Sequence, residues 1–323
     1  MTHRTTLCTA AALALAAGAA SAEKWDMPVA YPATNFHTEN ATEFGKCVAE
    51  KSGGAIDIVV HPNGALFAGN DIKRAVQTGQ APIGERLISA HENENKLFGV
   101  DAIPFLATSY EASDKLWDIA QENVAKALAD QNLTYVYSVP WPPQGLYTKK
   151  EINSAADLKG LKFRAYNAAT SRLAELAGMV PVQIEAAELS QALATGVAEA
   201  MITSGSTGVD SKVWESVTHF YDVAAWLPRN VVFVNTDSFN ALDEAGKTAL
   251  TQCGAEARER GSRKSRELTT EYLKTLADNG MTVTPPGDQL KADLEAFGKT
   301  MTDEWVAAAG DEGKAVIDGY RGQ

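Results

Sequence analysis

The first half of the chain alternates short runs rich in β-branched and aromatic residues with longer runs whose apolar positions recur every three or four residues. That alternation predicts α/β units around a sheet, and argues against a bundle or a sandwich. Residues 25–31 read as a strand, 38–51 as an amphipathic helix stopped by Gly53 and Gly54, and 56–61 as a second strand closed by Pro62, Asn63 and Gly64. A helix over 71–78 precedes an apolar strand over 82–89 that carries Glu85. Ser109 caps a long helix over 110–132, and a strand over 135–139 follows. Pro140, Trp141, Pro142, Pro143, Gln144 and Gly145 hold too much proline for a helix or a central strand, so the chain crosses there into a second lobe.

Beyond the crossing the pattern repeats, with strands over 146–149, 161–164, 182–184, 200–203 and 219–223 separated by helical runs. A strand over 231–235 returns. Residues 241–279 are charged and free of proline, which predicts one very long helix able to brace both lobes. A last helix over 289–309 sets Leu290, Leu294, Phe297, Met301 and Trp305 on one face. The expected architecture is a two-lobed α/β protein with crossing strands and a bracing helix. The first lobe takes residues 23–140 plus 232–270, and the second 141–231 plus 271–323.

The first 22 residues stand apart: Arg4, an apolar stretch from Leu7 to Ala19, then Ala20, Ser21 and Ala22 form an export leader with a small-residue cleavage site. The run is too short and interrupted to span a membrane, so an exported chain released into the periplasm is expected. The whole chain has 29 Lys and Arg against 41 Asp and Glu, a net charge of -12. Loss of Arg4 takes it one further from neutrality, which argues against nucleic-acid or anionic-lipid partners and leaves any anionic ligand to a local positive group. About 300 mature residues, with 45% of the whole chain hydrophobic, suit two lobes better than one. Cys47 and Cys253 remain after the leader, and an oxidising compartment permits a bridge that sequence alone does not establish.

Catalytic and cofactor signatures are missing: there is no phosphate-cradling loop, no Gly-x-Ser-x-Gly, no Cys-x-x-Cys and no His-Glu-x-x-His. His91, Glu92, Asn93, Glu94 and Asn95 gather cation donors, but lie directly after a strand, where polar residues form solvated connections. No enzyme, metal or cofactor is assigned. Among isolated histidines, His37 is expected near the cleft.

Arg164 is different, because it ends the short strand of Leu161, Lys162 and Phe163, and clefts open at strand ends. A planar guanidinium there can grip a carboxylate through two parallel hydrogen bonds, or else form a surface salt bridge. Glu85, inside an apolar strand, needs a partner: either Arg86, or a ligand hydroxyl or ammonium across the cleft. Trp141, Tyr147, Tyr166 and Trp214 fall near strand ends or connections, where they enclose a ligand or belong to the core.

The segment from Asp157 to Arg164 resembles a motif of solute-binding proteins from tripartite ATP-independent periplasmic (TRAP) transporters, the dicarboxylate-binding-protein family. Gly178 to Val182 followed by Glu188 to Ala200, and Gly53 to Ile58 running on to Pro62, Asn63 and Gly64, carry the same resemblance. It implies two lobes that close on a small ligand and deliver it to TRAP membrane subunits, a monomeric receptor, and Arg164 as the carboxylate anchor. Two departures stand out. Gly145, Leu146, Tyr147 and Thr148 occupy the stretch where many relatives carry another arginine, so a second anionic group on the ligand loses its expected partner. Glu199 and Ala200, then Met201, Ile202, Thr203 and Ser204, put hydroxyls where an amide often sits, implying a smaller ligand. A small organic carboxylate is the expected cargo, with a small amine or zwitterion held by Glu85 and aromatics as the alternative.

Overall fold

The computed structural model describes residues 22–322; the leader lies outside the described residues except for Ala22. Strands β1 (Glu23–Pro28) and β2 (Ile56–His61) pair in parallel, joined by helix α1 (Phe36–Lys51). Asn35 caps α1 by accepting from the His37 amide at 2.9 Å, which satisfies one of the free donors of the first turn. Helix α2 (Ile72–Gln77), strand β3 (Ile83–Leu87), helix α3 (Tyr110–Ala129) and strand β4 (Leu133–Pro140) follow. Ser109 caps α3 through the Ala112 amide. A short 3-10 segment, Lys96–Ala102, leads into α3.

From Gln144 the chain builds a separate sheet: β5 (Gln144–Thr148), β6 (Lys162–Ala165), helix α4 (Ala168–Leu176), β7 (Val180–Gln183), helix α5 (Leu189–Ala194), β8 (Ala200–Ser204), helix α6 (Gly205–Asp210) and β9 (His219–Tyr221). Strand β10 (Arg229–Asn235) then returns between β3 and β4, antiparallel to both. Helices α7 (Thr236–Ala241) and α8 (Glu244–Asp278), strand β11 (Thr282–Thr284) and helix α9 (Asp288–Gly322) complete the chain. The sheets are β1-β2, β3-β10-β4 and a six-stranded β11-β9-β5-β8-β6-β7. The first two form one lobe and the third the other.

Helix α8 packs on α1 and β4 in one lobe and on α6 and β11 in the other, so it braces both. Its glycines, which look like interruptions in the sequence, permit close approach. A Cβ at Gly254 would lie 2.9 Å from Val136 Cγ1, and one at Gly261 2.5 Å from Val139 Cγ2, so only glycine lets the helix settle on β4. Cys253 on the same helix is bonded to Cys47 on α1, with Cα atoms 5.8 Å apart.

The long helix expected over 241–279 forms as α8, starting at Glu244 because Asp243 turns out of helical geometry and caps it through the Gly246 amide at 2.8 Å. Two sequence expectations change. The last helix breaks at Gly310, whose φ is 63°, close to the expected end at 309, but a further helical run follows it to Gly322. The short β11 was not anticipated; it gains its hydrogen bonds by pairing with β9, a tertiary contact that a three-residue segment does not announce.

Candidate ligand-binding site

A cavity with about 410 Å3 of free space, part of it open to solvent, lies between the ends of the six-stranded sheet and the β3-β10-β4 sheet. The second lobe supplies Arg164 at the end of β6, Tyr166 just after it, Gln144 at the start of β5, and Thr203 and Ser204 at the end of β8. The first lobe and the crossing supply Tyr31, Arg86 and Trp141.

Arg164 is 4% exposed. Its Nε donates to the Ile184 carbonyl at 3.0 Å, and its guanidinium sits 4.8 Å from the centre of the Tyr166 ring. Among the described residues it has no carboxylate partner, and its terminal nitrogens make no hydrogen bond within the protein. Burial lowers its pKa to about 10, so it stays charged at neutral pH. A buried guanidinium with open donors is costly unless something anionic joins it. Tyr166 donates to Gln144 Oε1 at 3.0 Å, and Gln144 Nε2 donates to the Pro142 carbonyl at 2.9 Å, fixing the amide orientation. Ser204 Oγ accepts from the Thr207 amide at 3.2 Å and caps α6, whereas the Thr203 hydroxyl lines the cavity with no hydrogen bond among the described residues.

The opposite wall is aromatic. Tyr31 and Trp141 meet edge to face, 4.7 Å between ring centres. Trp141 Nε1 donates to Asn230 Oδ1 at 2.8 Å, and Asn230 Nδ2 donates to Glu85 Oε1 at 2.7 Å. His37 lies behind this wall, its ring 4.2 Å from that of Trp141 and its Nδ1 3.9 Å from Glu85. Burial holds His37 well below its ordinary pKa and so uncharged, and raises Glu85 from 4.5 to about 8.

Of the residues the sequence singles out, Arg164, Trp141, Tyr166, Thr203 and Ser204 are brought together on the cavity. Glu85 and His37 sit one layer behind it. Glu85 neither pairs with Arg86 nor presents a charge to the cavity, because adjacent residues of a strand point to opposite faces. Tyr147 is buried in the second-lobe core against Phe220, its hydroxyl donating to the Ser204 carbonyl at 2.9 Å. Trp214 packs partly buried against the same core, away from the cavity lining. Within residues 91–95, His91 and Lys73 both hold Glu94, and Lys96 holds Glu92, while His91 Nε2 and Glu92 Oε2 have no hydrogen-bond partner among the described residues.

Sequence reasoning missed Arg86, Tyr31, Gln144 and Glu185. Arg86 near the end of β3 obeys the strand-end rule that picks out Arg164, but Glu85 drew attention to the wrong neighbour. Arg86 Nη2 lies 3.2 Å from Glu185 Oε2 and 2.6 Å from Asn70 Oδ1. Hydrogen bonds also cross between lobes from Asn35 to Asp210 at 2.7 Å and from Asn167 to Ser89 at 3.0 Å, closing the halves around the cavity.

A TRAP solute-binding protein from an unidentified marine microbe, described as specific for pyroglutamate and crystallised with co-purified pyroglutamate, is 51% identical, covers 94% of this chain and 100% of its own, and superposes with a TM-score of 0.93. DctP6 of Bordetella pertussis, an extracytoplasmic solute receptor binding pyroglutamic acid, is 48% identical over 93% of this chain and 100% of its own, with a TM-score of 0.92. In sequence, the outer membrane transporter protein TsaT of Comamonas testosteroni is 24% identical over 100% of this chain and 98% of its own length. Residues 29–309 match the model of bacterial extracellular solute-binding protein, family 7 (DctP), and the chain belongs to that family.

Proposed function

We propose that the cavity binds pyroglutamate or a closely similar monocarboxylate, with Arg164 gripping the carboxylate. As a family member the chain is the periplasmic solute-binding component of a TRAP transporter, a receptor for a small organic carboxylate rather than an enzyme, and it works with the transporter's membrane subunits. The observation that carries the finer reading is the state of Arg164: buried, charged, stacked on Tyr166, and with its terminal nitrogens unpaired. A carboxylate met bidentately satisfies those donors and fixes its own orientation.

The remaining surface suits a compact ring. Pyroglutamate carries one carboxylate, one lactam N–H, one lactam carbonyl and an apolar ethylene edge. Thr203 offers an unspent hydroxyl for the lactam, and Trp141 and Tyr31 offer apolar faces for the ring. Amine binding lacks support here, because Glu85 is buried behind the wall and burial favours its neutral form. A ligand touching both lobes binds the closed state better than the open one, and that difference drives closure. We further propose a monomer, since only Leu66, Val180 and Val197 are exposed large hydrophobics among the described residues.

A thermal-shift panel of pyroglutamate, proline, glutarate, glucuronate and small amines tests the proposal, since a ligand that binds only the folded state raises its Tm. Pyroglutamate should give the largest shift; a larger shift with an amine or a uronate would overturn the assignment. Light scattering checks the monomer.

A further inference from the structure

We propose that Glu185 sets the valence of the ligand, holding the closed cavity to monoanions by neutralising Arg86. This rests on the reading of Arg164 as a carboxylate anchor. Two guanidinium groups face one small cavity, Arg164 from β6 and Arg86 from β3, each 4% exposed. Left to themselves they would form a site for a dianion. Glu185, which follows β7 in the second lobe, closes one of them off. Its Oε2 lies 3.2 Å from Arg86 Nη2, and its Oε1 accepts from the Asn70 amide at 3.1 Å, both partners belonging to the first lobe.

The backbone is shaped for this pair. A Cβ on Gly69 would come within 2.6 Å of Glu185 Oε2 and 2.9 Å of Arg86 Nη1, so a residue without a side chain admits the carboxylate over the arginine. The three charges also feel one another, since Glu185 favours the protonated form of Arg164 and Arg86 opposes it. Because the pair joins residues from different lobes, it assembles with closure. The closed site then keeps a single uncompensated positive charge at Arg164.

Glu185→Gln removes the negative charge while leaving an amide oxygen able to accept from Arg86 and Asn70. A second ligand carboxylate then finds Arg86 without a competitor. The probe is glutarate, the open-chain five-carbon dicarboxylate, titrated calorimetrically into the mature protein alongside pyroglutamate. Glutarate's own Kd should fall about tenfold or more in Glu185→Gln, the return on one added charge-assisted hydrogen bond in a desolvated site. The gain should weaken with rising salt and vanish in the double variant Glu185→Gln with Arg86→Gln.

An unchanged glutarate Kd in the folded single variant, or a gain that survives in the double variant, overturns the role of Glu185. Glu185→Ala supplies the same readout if the glutamine variant does not fold. Absence of pyroglutamate binding by the wild type would instead count against the proposed cargo, and the glutarate comparison would still decide the role of Glu185.

Discussion

On the wall built by the six-stranded sheet, Arg164 and Thr203 keep hydrogen-bonding capacity unspent, whereas on the wall built around β3 and β10, Glu85, Asn230 and Trp141 spend theirs on one another. Both walls bury polar groups, and a buried polar group is costly unless it is paired. The second-lobe wall leaves that cost for a ligand to relieve, so it supplies charge and orientation. On the first-lobe wall the Glu85–Asn230–Trp141 chain settles it internally, although both ring nitrogens of His37 behind it have no hydrogen-bond partner among the described residues. Glu85 is driven towards the neutral form, and besides Arg86, which Glu185 pairs, what faces the cavity is the rigid edge of Trp141 and Tyr31.

The contrast predicts unequal consequences. Arg164→Ala should have the largest, weakening a carboxylate ligand by more than about thirtyfold, the low end of the roughly 2–5 kcal/mol lost when one partner of a buried charge pair is removed. Calorimetry reads it, and an unchanged Kd would remove the distinction between the walls. Asn230→Ala comes next. It leaves Glu85 and Trp141 Nε1 without partners, which should cost about 1–3 kcal/mol of stability and lower Tm, with ligand affinity suffering less than in Arg164→Ala.

Glu85→Gln sharpens the comparison through pH. The folded protein holds the Glu85 proton up to about pH 8, against 4.5 for the ordinary group. Between those values the native state binds more proton than the unfolded chain, so the contribution of Glu85 to stability is present at low pH and lost as pH rises. The difference in Tm between Glu85→Gln and wild type should therefore shift in favour of the variant from pH 5 to pH 8. A difference independent of pH would mean that Glu85 is not buried in its neutral form. The smallest effect belongs to Tyr166→Phe, which removes the hydrogen bond to Gln144 but keeps the ring under Arg164. About 1 kcal/mol of affinity is expected to go, read in the same titration.

Much of this was legible along the chain. The proline-rich crossing, the strand alternation and the placing of Arg164 at a strand end follow from local chemistry. What was not legible depended on partners far away in sequence. Arg86 and Glu85 are neighbours on β3, and only the pairing of β3 with β10 decides which one meets the cavity. Glu185 joins Arg86 across 99 residues, and Cys47 meets Cys253 across 206; neither spacing carries a local signal. Tyr147 and Trp214 sit near strand ends as expected, but the turn of each chain segment sends them to the second-lobe core. Gly254 and Gly261 carry opposite meanings in sequence and in structure, since weak helix formers become close-packing sites once β4 lies beneath them.

The most direct test is a calorimetric titration of the mature protein with pyroglutamate and with its carboxamide, which keeps the lactam ring and removes the negative charge. The account predicts saturable one-to-one binding of the acid and loss of nearly all affinity for the amide. Equal affinity for the two, or no binding of the acid, would contradict the claim that an open guanidinium at Arg164 selects the ligand.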